Sequence, residues 1–327
     1  MNIDLTETNA SAVASALVRA RRSAGSPAMG MVLTLVVVTD EAGRYDAMKT
    51  AAAVSSEHAA RVLGIIRRSA RGSARLDATI KIGNNASGEA VLLRTSGELV
   101  RHAESVVLPL LLPDSPVVVW WPQHAPDDLA GDPLGELAQR RISDSASGTR
   151  GKHGSLLAQA RNYSPGNTDL AWTRLTPWRA LLAAALDQHP AKTTGAEVAA
   201  ERGNPSAELM AAWLETRLGV DVNRKVSRGP GITDVRLRSR HGDLAITRPP
   251  SGRSATFSIP GEADRPVALK RRDVDELLAE ELRRLDEDDV FAEVMRCVAS
   301  RSNDSSDSKP RKRSAPTGKK AATKARS

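Results

Sequence analysis

The polar side chains best suited to chemistry in this 327-residue chain lie in one short run. It holds two arginines, two serines and an aspartate, namely Arg140, Arg141, Ser143, Asp144 and Ser145. Guanidinium groups beside hydroxyls and a carboxylate suit a polar anchor or a phosphate site. Neither serine lies in the Gly-x-Ser-x-Gly elbow of a hydrolase, and no pattern makes the nearest histidine, His153, a base. The run predicts binding, and no catalytic residue is assigned.

Tryptophan and arginine concentrate in and near the same part of the chain. The sequence has five Trp but only two Phe and two Tyr, and Trp and Arg are the residues most enriched at binding hot spots. The further candidates are Trp120, Trp121, Asp169, Trp172, Arg174, Trp178 and Arg179. One interpretation is a partner-binding surface. The alternative is that the tryptophans fill a core while the arginines stay solvated, and the sequence leaves both open.

The sequence gives little support for a metal site, a nucleotide-binding loop or a disulfide. The six histidines are scattered without an i, i+4 pair or a cysteine neighbour, so no metal site is expected. Residues 83–88 lack the Gly-Lys-Ser/Thr of a phosphate cradle and join two predicted strands, which indicates a hairpin turn. Cys297 is the single cysteine, so an internal disulfide is excluded and a reducing, cytoplasmic setting is expected. No cofactor is expected.

The first half of the chain predicts a small α/β layer that positions these residues. Apolar spacings of three and four predict helices over residues 10–22, 45–68 and 98–111. Alternating or continuous apolar runs predict strands over residues 29–38, 76–82, 89–95 and 116–122. Trp120 and Trp121 are adjacent at the end of the last strand, so their indoles should point to opposite faces. Open α/β sheets bind ligands at that edge.

The second half predicts an α+β arrangement. Thr176 as a cap and Pro177 in the first turn predict a helix to residue 188, with Trp178 on its packed face. Further helices are predicted over residues 207–218, 272–285 and 290–298. Alternating segments separated by Gly- and Pro-containing turns predict an antiparallel meander between residues 229 and 259. The acidic run 286–289 should lie at the N-terminus of the last helix, where the dipole favours it.

Length and charge divide the chain into three predicted parts. The chain exceeds what one core usually organises, so an α/β subdomain over residues 1–165 and an α+β subdomain over 166–300 are expected. Residues 301–327 hold nine basic and two acidic side chains, most of the net charge of +8, and are predicted to be a disordered tail. That tail offers weak contact with anions but no base-reading element, so no specific nucleic-acid partner is expected. No membrane partner is expected either, because no apolar run is long enough.

Segments 117–122, 140–145 and 169–179 together resemble the glucose-6-phosphate dehydrogenase assembly protein family of actinobacterial type, OpcA, and the likeness runs from near Met1 to about Val298. The resemblance implies a non-catalytic, allosteric activating partner of that dehydrogenase, which favours its active oligomer in the oxidative pentose phosphate pathway. The candidate residues above would then contact the enzyme differently in its two states. Cyanobacterial proteins of this name are associated with thioredoxin-linked control, which Cys297 alone does not support here.

A second class of function stays open beside the resemblance. The apolar strand ending in Trp120 and Trp121, with arginines near Ser143, also fits a sugar-phosphate or nucleotide-binding regulatory protein, or an enzyme, built on the α/β half. Binding of sugar phosphates or NADP by the isolated protein would distinguish this class from a pure protein partner.

Overall fold

The computed structural model describes residues 1–24, 30–82, 89–147, 152–190 and 192–307, which form two sheets with flanking helices. The strands are β1 (Asn2–Leu5), β2 (Leu33–Thr39), β3 (Ala60–Arg67), β4 (Arg75–Ile82), β5 (Glu89–Ser96), β6 (Val117–Trp121), β7 (Arg140–Ser143), β8 (Asn167–Asp169), β9 (Thr193–Ala200), β10 (Val222–Val226), β11 (Ile232–Ser239), β12 (Leu244–Thr247), β13 (Ser254–Ser258) and β14 (Arg265–Ala268). The α-helices are α1 (Ala10–Ala24), α2 (Arg44–Glu57), α3 (Ala103–Val107), α4 (Lys152–Arg161), α5 (Leu170–Thr173), α6 (Thr176–Gln188), α7 (Pro205–Leu218), α8 (Val274–Leu282) and α9 (Asp289–Asp307). The α/β fold class is confirmed.

The first sheet brings the ends of three strands together. Its order is β1-β4-β5-β3-β2-β6-β7-β8, and the strands from β5 through β3 and β2 to β8 run parallel. Trp121 is the register partner of Ser143, and Ser143 is the register partner of Asp169. Because parallel strands end at the same edge, the last residues of β6, β7 and β8 form one row there. This row positions most of the predicted site.

The central strands are buried on both faces, as their continuous apolar sequences predict. Every residue of β2 and β6 is buried. One face packs with α1, α3 and the loop after β6, and the other packs with α2 and α8. Covered strands of a parallel sheet need apolar side chains in both directions, which explains the absence of alternation in these runs.

The second sheet confirms the predicted antiparallel meander as β11, β12 and β13, and it adds three strands, β9, β10 and β14. Strands β11 to β14 pair in chain order, each antiparallel to the next. Beyond β11 lie β9, which is antiparallel to it, and β10, which is parallel to β9. Neither β9 nor β10 was predicted, because β9 is rich in alanine and threonine and most of β10 is polar and exposed. The helix predicted over residues 207–218 is confirmed as α7.

Two helix predictions in the first half were wrong. The helix predicted over residues 45–68 ends at Glu57, and β3 follows it in the centre of the sheet. The apolar spacing in this stretch satisfied a helical period, but the β-branched run of β3 pairs with β2 and β5 on either side. The helix over 98–111 is instead α3 between two 3₁₀ turns, with Pro109 in the second turn. The first buried strand begins at Leu33, after a turn at Gly30.

Segments from the C-terminal half return to the first sheet. Leu277, Leu278 and Leu282 of α8 pack against β2, β6 and α2. Helix α9 instead packs on α4 and α7, over the core of the second sheet. The first sheet also continues to Asp169, beyond the expected boundary at residue 165, and the division into subdomains stays a prediction. None of the helices in the described parts of the chain is long and apolar enough to cross a membrane.

The expected boundary at Arg301 lies inside a helix. Helix α9 continues through Asp307, past the expected boundary, and the disordered tail stays a prediction. Arg301 pairs with Glu208 at 2.9 Å and also with Glu215, both on α7. The remainder of the tail and the turn predicted over residues 83–88 lie outside the described residues, although β4 and β5 on either side of that turn form the predicted antiparallel pair.

Replacing Arg301 should therefore destabilise the protein. In Arg301→Gln the buried Glu208 carboxylate loses one of its guanidinium partners, and we expect the free energy of unfolding to fall by about 1–3 kcal/mol in urea titrations. The loss stays moderate because Arg224 also pairs with Glu208. Truncation after Asp307 is the control and should change stability little, since residues 308–327 contain no Leu, Ile, Val, Met or aromatic residue. Equal stability of Arg301→Gln and the wild type would contradict this role.

Candidate functional site

Asp169 ends β8 and is the centre of a buried polar cluster. Its Oδ2 accepts hydrogen bonds from Ser143 Oγ at 2.7 Å and from Ser145 N at 3.0 Å. Its Oδ1 accepts from Ser145 Oγ at 3.1 Å and from Ala171 N at 2.7 Å, which caps α5. Burial raises the pKa of the Asp169 carboxyl and the Asp144 carboxylate raises it further, against the opposing effect of these donors. The cluster joins the loop after β7 to the start of α5.

Asp144 and Arg174 form a bidentate ion pair beside this cluster. Arg174 Nη1 donates to Asp144 Oδ1 at 2.7 Å, and Nη2 donates to Oδ2 at 2.8 Å. Asp144 also accepts from Ala146 N and Ser147 Oγ. Its side chain is 1% exposed and that of Arg174 is 27% exposed. Burial lowers the pKa of Arg174, but the hydrogen bonds to Asp144 outweigh it and raise the pKa overall. Arg174, expected at a partner surface, is thus engaged within the chain.

Arg140 connects the first sheet to α8 through a buried ion pair. Its Nη2 donates to Glu281 Oε2 at 2.7 Å, and its Nη1 donates to the Asp286 carbonyl at 2.9 Å. The second carboxylate oxygen of Glu281 accepts from Thr173 Oγ1 at 2.6 Å. Both charged side chains are less than a tenth exposed. Glu281 therefore holds α8 against both β7 and α5.

Trp172 and Arg179 form a stacked pair over the last helix. The Arg179 guanidinium carbon lies 3.6 Å from the centroid of the Trp172 ring. The indole Nε1 donates to Asp288 Oδ2 at 2.8 Å, and Asp288 Oδ1 accepts from Phe291 N at 2.9 Å. The acidic run thus lies at the start of α9 as predicted, and one of its members also holds a tryptophan. Burial lowers the pKa of Arg179.

The cap predicted at Thr176 was wrong. Helix α6 begins at Thr176 itself, with Leu175 in the capping position and no side-chain cap. The Thr176 hydroxyl instead donates to Glu280 Oε1 at 2.8 Å on α8, and Glu280 in turn pairs with Arg272. A hydroxyl that reaches a carboxylate on another helix is unavailable to its own backbone.

The tryptophans lie in the interior. Trp120 packs with α8 and Trp121 packs on the opposite face of the sheet, as their adjacent positions in a strand predict. Trp172 and Trp178 belong to the core of the second sheet, and all four are at most 2% exposed. Indoles buried in this way offer no surface to a partner. These four tryptophans therefore fill the core, which was the alternative interpretation of the sequence.

Arg141 binds the neighbouring loops. Its Nε donates to Asn167 Oδ1 at 2.6 Å, and Nη1 donates to the Ala138 carbonyl at 2.8 Å. Nη2 donates to the Pro165 carbonyl. Burial lowers the pKa of this arginine. Arg141 therefore orders the loops before β7 and β8 and does not point its donors at an open phosphate site.

The side chains of the polar cluster around Asp169 are inaccessible to a substrate. Ser143 is fully buried beside Asp169, so no substrate reaches its hydroxyl, and no histidine contacts either side chain among the described residues. Asp40, the residue after β2 at the carboxyl edge of the sheet, accepts from Gly43 N at 2.8 Å. Within the described ranges no His, Cys, Asp and Glu side chains group as a metal site would require. The arrangement is suited to holding elements together.

Sequence reasoning missed the acidic partners on α8. Glu281 lies four residues after Leu277 and three after Leu278, so it falls on the apolar face of its helix. A charged residue in that position is a signal of a buried partner. That partner is Arg140, which lies 141 residues before Glu281 in the sequence. No local sequence pattern indicates this pairing.

Breaking the Asp144–Arg174 pair should cost substantial stability. Arg174→Ala leaves a buried carboxylate without its cation, and we expect the free energy of unfolding to fall by about 3–5 kcal/mol. The double variant Asp144→Asn/Arg174→Ala should lose less than the sum of the single losses in urea titrations. Arg217→Ala, which removes an exposed pair with Glu293, serves as the control and should cost at most about 1 kcal/mol. Additive losses for the double variant would contradict a direct pair.

The solved structures similar to this chain have low sequence identity and low TM-scores, and two of them are described as a dehydrogenase and an oxidoreductase. The UDP-N-acetylglucosamine 3-dehydrogenase GnnA from Acidithiobacillus ferrooxidans is 11% identical, with 84% of this chain and 97% of that chain covered and a TM-score of 0.40. The aldose-aldose oxidoreductase from Caulobacter crescentus is 10% identical, with 83% and 98% covered and a TM-score of 0.42. Similarities at this level carry no conclusion about activity.

Curated relatives and family models give a consistent result. A stretch of 139 residues is 31% identical to the putative OxPP cycle protein OpcA of Synechocystis sp., covering 40% of this chain and 29% of the relative. The protein of the same description from Synechococcus elongatus is 33% identical over 142 residues, covering 40% and 31%. The matches thus span less than a third of these relatives.

The family models extend much further along the chain. Residues 51–161 match the model of the glucose-6-phosphate dehydrogenase subunit N-terminal domain. Residues 165–295 match the model of the C-terminal domain of the same subunit. Since the two models together cover most of the chain, the protein belongs to the OpcA family of glucose-6-phosphate dehydrogenase assembly proteins.

Proposed function

We propose that this chain is a non-catalytic partner of glucose-6-phosphate dehydrogenase that acts in the oxidative pentose phosphate pathway. The observation that carries the proposal is the match to both domains of a family described by that enzyme. The names of the cyanobacterial relatives place them in the OxPP cycle, which is consistent with the same pathway.

The buried cluster supports a binding role over a catalytic one. Asp169 and Ser143 are enclosed, and the ion pairs around them link β7, α5 and α8. An enzyme needs its reacting groups within reach of a substrate. A binding partner needs a surface whose shape is set before the encounter, because ordering a loose surface reduces affinity. The network of buried charges supplies that fixed shape.

Activation then follows from unequal affinity for two states of the enzyme. A partner that binds the active oligomer more tightly than the inactive form shifts the equilibrium toward the active oligomer, whereas equal affinity shifts nothing. Couplings of this kind are typically about 1–3 kcal/mol, which changes affinity about 5- to 150-fold. No electron transfer within this chain is required.

We place one contact of the complex at Arg179. Of the twelve residues singled out in the sequence, Arg141, Arg174 and Arg179 keep partly exposed side chains. Arg141 donates to neighbouring loops and Arg174 to Asp144. The described residues place no carboxylate within salt-bridge distance of Arg179, whose side chain donates to Thr176 Oγ1 at 3.3 Å. An arginine held flat by a tryptophan is preorganised to bind a carboxylate of a partner.

Mixing the purified chain with glucose-6-phosphate dehydrogenase should raise NADP reduction and shift the enzyme toward its active oligomer. Activity is followed by NADPH absorbance and size by light scattering after gel filtration. The chain alone with glucose 6-phosphate and NADP is the control and should produce no NADPH. NADPH formed by the chain alone, or a mixture with unchanged rate and size, would overturn the proposed function.

Replacing Arg179 should weaken the complex more than the fold. We expect Arg179→Ala to reduce affinity for the dehydrogenase about thirtyfold, the effect of losing about 2 kcal/mol at a hot spot. Loss of the stack on Trp172 should lower the free energy of unfolding by only about 0.5–2 kcal/mol. Arg217→Ala, at an exposed arginine of α7, should bind normally. Full affinity in Arg179→Ala would exclude this contact.

A further inference from the structure

A cavity of about 240 Å³ lies between α5, α6, the start of α7 and the second sheet. Basic side chains dominate its charged lining, which consists of Arg174, Arg248, Lys270, Arg271, Arg272 and one acidic residue, Glu201. The cavity is formed mainly by the C-terminal half of the chain. Of the residues singled out in the sequence, Arg174 and Trp178 line it. Its positive lining suits an anion.

Three of these cations already have carboxylate partners. Arg174 pairs with Asp144, Lys270 with Glu276 at 2.6 Å, and Arg272 with Glu280. Charges compensated in this way contribute less to an anion site. Arg248 and Arg271 differ, because the salt bridges of the described residues include neither of them.

Arg248 and Arg271 converge on the same wall of the cavity. Arg248 Nη2 donates to the Ile232 carbonyl at 3.0 Å, and Arg271 Nη2 donates to the Pro230 carbonyl at 2.9 Å. Arg248 is 8% exposed, and its Nε has no hydrogen-bond partner among the described residues. A guanidinium has five N–H donors, so donors remain after these bonds. Two arginines whose bonds go to backbone carbonyls hold charge that an anion can neutralise.

The electrostatics of Arg248 agree with this geometry. Burial lowers its pKa to about 10, and the nearby positive charge of Arg271 contributes to the same shift. The guanidinium also lies 4.9 Å from the ring centroid of Trp178, which fixes its orientation. A bound anion between the two arginines would stabilise their charged forms.

The start of α7 adds a second source of positive potential. Asn204 caps this 14-residue helix and Ser206 lies in its first turn, and both residues line the cavity. The N-terminus of a helix attracts anions through its dipole. In α7 Pro205 has no N–H and Asn204 Oδ1 accepts from Ala207 N, so the dipole supplies most of this attraction. The buried arginine and the helix end therefore face the same space.

We propose that this cavity binds a small metabolite through a phosphate monoester group. Arginine forks match phosphate oxygens, and a phosphate monoester carries about 1.5 to 2 negative charges near neutral pH, close to the charge of the two arginines. The volume is below the roughly 300–1,000 Å³ of sites for drug-sized ligands, which favours a small molecule. Binding of the metabolite requires neither the contact proposed at Arg179 nor the dehydrogenase.

Calorimetric titration of the isolated full chain with glycerol 3-phosphate tests the site. Glycerol is the uncharged control and glycerate the carboxylate control at equal ionic strength. We expect binding of glycerol 3-phosphate, no heat with glycerol, and binding of glycerate weaker by about tenfold or more. The same order should appear in the rise of melting temperature, since a ligand of the folded state stabilises it. Absence of both signals with glycerol 3-phosphate, or equal signals with glycerate, overturns the phosphate site.

Variants locate the binding in the cavity. Arg271→Gln should weaken glycerol 3-phosphate binding by about tenfold or more, because a charge-assisted hydrogen bond is lost. Arg271 is only partly buried and bonds to backbone carbonyls, so this variant should fold. Arg217→Gln, at the other end of α7, is the matched control and should bind as the wild type does. Wild-type affinity in Arg271→Gln, or equal weakening in Arg217→Gln, would place the anion elsewhere.

Discussion

The structure depends on hydrogen-bond and ionic partners for carboxylates that are buried where the two halves of the chain meet. Asp144, Asp169 and Glu281 are all largely removed from water. A buried charge without partners costs several kcal/mol, so each carboxylate requires donors at fixed positions. Those donors come from β7, the loop after it, α5 and Arg174 directly after α5. The position of α5 between the sheets follows from this requirement as much as from its apolar contacts.

The hydrophobic packing is arranged around these charges. Trp172 contacts Phe291 on α9, while its indole N–H is held by Asp288. Trp120 packs under the leucines of α8, and Glu281 on the same helix reaches Arg140. Apolar burial supplies most of the driving force, but it is tolerant of small displacements. Hydrogen bonds to the carboxylates of Glu281 and Asp288 fix how α8 and α9 lie on the two sheets.

The sequence predicted helices and strands correctly where its apolar spacing fitted only one of the two structures. Strands β4 and β6 follow from clear alternation or a continuous apolar run. Strand β3 was mistaken for helix because its apolar spacing suits both structures, and only pairing with β2 and β5 decides between them. For the site, several residues singled out in the sequence lie together at the ends of β7 and β8, but the sequence did not indicate their partners. The partner of Arg140 is 141 residues away on α8, and local spacing contains no information about such a contact.

Arg174 links the closed cluster to the open cavity. One side of its guanidinium holds Asp144, and the residue also lines the space where Arg248 and Arg271 converge. An anion in that space interacts with a side chain whose position is already fixed by a buried carboxylate, so little order is lost on binding. Coupling between two sites requires an element whose arrangement both sites influence. The segment from Arg174 to Arg179 has this position, because the cavity lies at its beginning and the proposed enzyme contact at its end.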